Sequence, residues 1–303
     1  MSETNVSINN LDPTLYELSE AQLAAVKLFE LPDKEFEDAL PGFVEQRIAQ
    51  LSEGVSRDTV TGSTPPFSTF IPPDRPLFPA EDVIDQQPFL LDDPNAYQAA
   101  IARVRSSYLH RVLRQDKSPN VAKAFLNAAV WGTFEAQALY FGSYYGSTME
   151  RLNKLEQKAD TLRNVSVSEL GDSAMCMERA GIVHNSLMLL GVPTEYFNGK
   201  LKKYDNEGKL LKIEGHAYLI VEGTAGAKYL YDPANPKLTE YLEQGVSKAA
   251  PNVKKIVDGE ADTVVIPWQR VVRSGGGEDV MPAGEWHYIS NTSFGALGRM
   301  AMM

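Results

Sequence analysis

The sequence predicts an α+β fold with an N-terminal helical region, and three observations predict it. Apolar residues recur at helical spacing through the first half of the chain. From about residue 195 onward, short apolar or alternating runs are separated by Asn/Asp/Gly turns. The two textures are segregated, not interleaved, which favours a mostly antiparallel sheet with packed helices over a parallel βαβ array.

The elements follow in order. Residues 1–60 form an acidic helical segment. Ser19-Glu20-Ala21-Gln22 has capping-box spacing, with Leu23, Val26 and Leu31 near one face; Pro41-Gly42 then predicts a break before a second helix over Phe43–Leu51. Residues 61–95 form a Pro-rich extended arm or linker. Eight of the chain's 18 prolines lie from Pro65 to Pro94, interleaved with Phe67, Phe70, Ile71, Leu77 and Phe78. The remaining unit, 96–303, is expected to hold helices over 96–164 and a sheet over 195–290. Its first helix carries Ala100, Ile101, Val104, Tyr108 and Val112. The second is the apolar run Val121–Gly142. The third opens at Ser147-Thr148-Met149-Glu150 and carries Met149, Leu152, Leu155, Ala159 and Leu162. A further helix over Ser173–Leu190 stops at Gly191 and Pro193. Strands follow at Glu195–Leu201, Leu210–Ile213, Ala217–Glu222, Tyr229–Tyr231, Thr263–Ile266, Gln269–Val272 and Trp286–Ile289, with Gly275-Gly276-Gly277 as a turn.

Composition excludes several functions. The chain has 303 residues, 29 Lys+Arg against 40 Asp+Glu, and a formal net charge of −11. Such an acidic balance lacks the cations that neutralise nucleic-acid phosphates, so no nucleic-acid partner is expected. A single cysteine, Cys176, forms no intramolecular disulfide and no Cys-rich metal centre. No Walker loop, His-Glu-x-x-His or dinucleotide-binding glycine spacing occurs, so neither a metal nor a cofactor is expected. Lys123, Asn127, Glu135 and Gln137 interrupt the most apolar run, so no membrane span is expected. The polar N-terminus is unlike a secretory signal, which predicts a cytoplasmic protein and leaves export without a cleaved signal, for example as an effector, open. Nothing in the sequence specifies an oligomeric state.

The chemistry centres on Cys176. Asp172 and Ser173 are good N-caps, and with Ser173 as the cap, Cys176 falls in the first turn. There the free N–H groups and the positive end of the helix dipole favour a thiolate. The competing reading is a small buried hydrophobe. A nucleophilic thiol needs a base. His184 lies on the same helix about 12 Å along its axis and is out of reach. His110 has no supporting signal, and His287 is a backup base in a late strand. His216 opens the strand Gly215-His216-Ala217-Tyr218-Leu219-Ile220-Val221, where Gly215 allows close backbone approach. A short hairpin brings His216 beside Asp232, at the end of the partner strand, with Asn235 as the alternative orienter. Glu178-Arg179 on the cysteine helix is expected to be a structural ion pair.

Met175-Cys176-Met177-Glu178-Arg179-Ala180, Leu189-Leu190-Gly191-Val192-Pro193, Gly215-His216-Ala217-Tyr218 and Tyr231-Asp232-Pro233 together resemble the transglutaminase-like family of the papain-like cysteine enzyme superfamily. The resemblance spans roughly residues 165–236. It implies a papain-like core in which a helix bearing the cysteine packs on an antiparallel sheet. It implies a Cys176–His216–Asp232 triad that transfers acyl groups from protein or peptide amides, at a glutamine side chain or a peptide bond, through a thioester. Water or an amine resolves that thioester, so transglutaminase, deamidase and cysteine protease activities all fall within it. The oxyanion donors implied are the Cys176 N–H and a second group, with Ser173 or Asn164 as candidates. Tyr218, where the family commonly has tryptophan, and Trp286 are expected along the substrate cleft. Two other readings stay open: a non-catalytic interaction protein on a papain-like scaffold, and an acyltransferase like the arylamine N-acetyltransferases.

Overall fold

The computed structural model describes residues 18–53, 89–90, 94–113, 120–141, 165–166, 174–223, 226–241, 247–256, 263–268 and 284–289. Within them lie helices α1 (Glu20–Phe29), α2 (Asp33–Glu53), α3 (Pro94–Leu113), α4 (Val121–Phe141) and α5 (Cys176–Leu189). The strands are β1 (Phe89–Leu90), β2 (Val165–Ser166), β3 (Thr194–Asp205), β4 (Leu210–Glu222), β5 (Lys228–Tyr241), β6 (Ser247–Lys255), β7 (Thr263–Trp268) and β8 (Gly284–Ile289). β1 and β2 form a short parallel pair. The other six make one antiparallel sheet in the order β6-β5-β4-β3-β8-β7. The chain is therefore α+β.

α1 starts where the sequence places it. Ser19 Oγ accepts from Gln22 N at 3.3 Å and Gln22 Oε1 accepts from Ser19 N at 3.0 Å, a reciprocal capping box. α2 corrects an expectation, because it runs through Pro41 without a break. Phe36, Leu40 and Val44 form one buried stripe across the proline, and keeping that stripe on the core outweighs one missing helical hydrogen bond. α3 begins at Pro94, where a proline's missing N–H is already spare. The Pro-rich segment before residue 89, the Ser147–Glu150 cap and its helix, the strand Gln269–Val272 and the Gly275–Gly277 turn lie outside the described residues.

The strands depart from expectation in two ways. Leu210–Ile213 and Ala217–Glu222 are parts of a single strand, so His216 sits within β4 and does not begin it. β6 was not anticipated. Its sequence, with Pro251 inside, has no clean alternation, and the strand survives because it lies at the edge of the sheet. The register of β5 on β6 shifts between Asp232 and Lys237, the stretch that contains Pro233 and Pro236.

The sheet is strongly curled. Lys254 Nζ on one edge strand, β6, donates to Val265 O on the other, β7, at 2.8 Å. Two apolar cores result. Ala217, Leu219, Val221, Tyr231 and Ala234 face the helices, and α1–α5 complete that core. Phe197, Leu201, Tyr218, Ile220, Leu230, Val264, Ile266 and Tyr288 fill the inside of the curl. Burial on both faces explains the unbroken apolar run in β4. α5 packs on β3, β4 and β5 and is buried on nearly every side. It ends at Gly191, whose φ of +74° suits glycine, and Val192 N returns to Leu187 O at 2.9 Å. The N-terminal helices clamp this end of α5. Gln22 Nε2 donates to Gly191 O at 3.0 Å, and Arg47 Nε to Leu189 O at 2.9 Å.

Candidate active site

Cys176 is the first residue of α5, and the cap is Met175, in extended backbone. The expected cap, Ser173, and the second oxyanion candidate, Asn164, lie outside the described residues. The first helical bond runs from Arg179 N to Met175 O at 3.2 Å, so the N–H groups of Cys176 and Met177 precede the helical ladder. Glu178 Oε2 turns back to accept from Met175 N at 2.8 Å and fixes the entry to the helix. Cys176 is 9% exposed and borders the main core.

Glu178 and Arg179 are not a surface pair. Both are buried. Arg179 Nη1 donates to Gln137 Oε1 at 2.8 Å, Nε to Ala174 O at 3.3 Å and Nη2 to Phe141 O at 3.5 Å, with the guanidinium over the Phe141 ring. Residues so apolar in their surroundings leave no room for hydrated charges, and each polar group is bonded within the fold.

His216 on β4 and Asp232 on β5 meet side chain to side chain. The ring Nε2 lies 2.8 Å from Asp232 Oδ2, and both residues are buried. The hairpin register, with Leu219 opposite Tyr231, brings them together. A ring nitrogen facing a carboxylate carries the proton, which leaves Nδ1 for the thiol. Burial lowers the His216 pKa, but the charge of Asp232 and its hydrogen bond, with a hydrogen bond and charge from Cys176, outweigh it and push the value up to about 10. Burial likewise raises the Asp232 pKa, and His216, Asn235 and Tyr288 together bring it below the usual carboxylate range.

The two candidate orienters divide the work. Asn235 Nδ2 donates to Asp232 Oδ2 at 2.9 Å; its 3.2 Å approach to His216 Nε2 follows from two donors converging on one oxygen. Asp232 Oδ1 accepts from Ala234 N and Asn235 N at 3.0 and 3.1 Å. Asp232 holds the ring, and Asn235 holds Asp232.

Sequence reasoning missed Tyr288 and Asn252. Tyr288 Oη donates to Asp232 Oδ2 at 2.8 Å, and Asn252 Nδ2 donates to Tyr288 Oη at 3.3 Å. β8 and β5 are three places apart in the sheet, so only the curl joins them. Local spacing carries no signal of that contact.

The remaining expectations fall as follows. Tyr218 is wholly buried, stacked on Phe197 at 5.5 Å and edge-on to Tyr288 at 5.4 Å. Its hydroxyl has no hydrogen-bond partner among the described residues. Trp286 is half-buried, with Lys203 Nζ 5.1 Å from its ring centroid. Gly215 is exposed and paired with Lys200 of β3, and a Cβ there would meet nothing within 4 Å, so its place does not require glycine. His184 is buried and bonded through Nδ1 to Thr194 Oγ1 at 2.6 Å. His287 pairs with Glu285 at 3.1 Å, and His110 is an exposed residue in the last turn of α3. None of the three joins Asp232. Among the described residues no helix is long and apolar enough to cross a membrane. Comparison of the chain with protein-family models, curated proteins and solved structures finds no match.

Proposed function

We propose that the protein is a thiol acyl-transfer enzyme of transglutaminase-like type, acting on an amide of a protein or peptide through Cys176, His216 and Asp232. The observation that carries the reading is the buried His216–Asp232 pair interacting with a cysteine at the start of a helix. Such an imidazole, its pKa pushed up to about 10 beside sulfur, is ready to act as an acid.

In this reading Cys176 sulfur attacks the amide carbonyl, forming the S–C bond while the carbonyl π pair moves to oxygen. The Cys176 N–H, outside the helical ladder, is placed to stabilise that oxyanion. The tetrahedral adduct collapses, the C–N bond breaks, and the departing amine or ammonia takes the proton from His216. A water or an amine then attacks the thioester and gives its proton back to His216, and the thiolate leaves. Asp232 keeps the ring oriented throughout and balances its charge whenever the ring carries the second proton.

The test is intact-mass analysis of candidate proteins and peptides after incubation with wild type, Cys176→Ala and His216→Ala. Wild type is expected to cut a peptide bond, to exchange a side-chain amide for a carboxylate, or to join two chains with loss of ammonia. Neither variant should do so. Equal turnover by Cys176→Ala overturns the reading, as does an iodoacetamide reaction at Cys176 that is as fast in His216→Ala as in wild type.

A further inference from the structure

The helix that carries Cys176 and the strand that carries Asp232 belong to different layers, and something must set their spacing. α4 packs on the first and reaches the second through side-chain hydrogen bonds, one of them from Tyr231 Oη to Val130 O at 3.2 Å. Its Gln137 is buried, 2% exposed, and uses both ends of its amide. Oε1 accepts from Arg179 Nη1 of α5 at 2.8 Å, and Nε2 donates to Pro233 O of β5 at 2.9 Å. Arg179 continues the path to Ala174 O, two residues before Cys176. Pro233 directly follows Asp232 and lies where β5 loses its register with β6.

The chemistry of the bridge is restrictive. A guanidinium offers only donors, and a carbonyl offers only an acceptor. A single side chain between them must therefore accept at one end and donate at the other. An ionised glutamate keeps the first bond and loses the second; methionine has neither. We propose that Gln137 is a positioning residue that sets the separation of the cysteine helix from the Asp232 strand, and so the approach of His216 to the thiol. The proposal rests on the thiol chemistry above. Geometry of this kind matters because a misplacement of about 1 Å can cost about a hundredfold in rate.

The experiment measures Cys176 alkylation by iodoacetamide as a function of pH in wild type, His216→Ala, Gln137→Glu, Gln137→Met and Tyr97→Phe. The downfield ring-proton resonance of His216 is followed by NMR. Gln137→Glu keeps the Arg179 bond and is expected to fold. Its His216-dependent alkylation should fall about tenfold or more, its pH profile should move toward that of His216→Ala, and the His216 resonance should persist. Gln137→Met should behave the same way and serves if the glutamate variant does not fold. Tyr97→Phe breaks another buried bond of α5, from Asn185 Nδ2 at 2.9 Å, and should lower stability without moving the profile. A wild-type profile in Gln137→Glu or Gln137→Met overturns the positioning role, and so does a Tyr97→Phe profile displaced like theirs. Identical alkylation of wild type and His216→Ala would instead overturn the thiol reading beneath it, and that result is obtained before any Gln137 variant is compared.

Discussion

At the scale of single residues, two buried tyrosines a few ångströms apart make opposite predictions. Tyr288 donates to the Asp232 carboxylate, and hydrogen bonds to a charged group contribute about 1.5–3 kcal/mol. Tyr288→Phe should cost stability on that scale in urea denaturation and should slow His216-dependent alkylation of Cys176. Tyr218 carries a hydroxyl without a partner among the described residues, and its phenol proton is held well above the usual range by burial and by the charge of Asp232. Removing an unsatisfied buried hydroxyl removes a desolvation penalty of about 1–3 kcal/mol. Tyr218→Phe should therefore leave stability unchanged or raise it, and a marked loss would show that the hydroxyl is bonded. The meeting of His216, Asp232 and Asn235 and the place of Cys176 at a helix start were legible in the sequence, because a hairpin and a helix start are local devices. Tyr288 and Asn252 were not, because their contacts depend on how far a six-stranded sheet curls.

At the scale of elements, α5 is held at both ends. Its entry is fixed by Glu178 on Met175 N, and its exit by Gly191. A Cβ on Gly191 would lie 2.6 Å from Ala21 Cβ, on top of the cost of a positive φ. Gly208 in the β3–β4 turn has a similar φ, +77°, and open space around it. A side chain in left-handed backbone costs about 1–2 kcal/mol. Gly208→Ala should cost about that much, and Gly191→Ala clearly more, as read from unfolding midpoints. Equal losses would mean that α1 yields at no cost. The Gly191 stop and the Ser19 cap could be read from sequence because each is a local rule. Pro41 misled for the same reason, since the stripe that keeps α2 whole is a tertiary contact. So did Gly215, whose Cβ side is open, so that any residue would fit there.

At the scale of the whole molecule, the buried pair ties stability to pH. His216 has its pKa raised from an ordinary value near 6.5 to about 10, so its contribution is complete below about pH 6.5. That contribution fades as pH rises toward 10 and is lost above it. Asp232 has a lowered pKa, so its contribution is complete above the ordinary carboxylate value and is lost as pH falls through the depressed one. Wild type should thus show a melting temperature that declines on the alkaline side, and His216→Gln should flatten that decline. A decline of equal depth in both would assign it to other groups. The α+β class was legible from the segregation of helical and strand texture along the chain. The curl was not, although it has a further consequence for how the protein is made. Cys176, His216, Asp232 and Asn235 all emerge from the ribosome well before β8. A nascent chain ending at Asn235 therefore holds every proposed catalytic group while Asp232 still lacks its bond from Tyr288, so β8 completes the hydrogen bonding of Asp232, and a chain released short of residue 288 carries the proposed triad without the clasp that closes it.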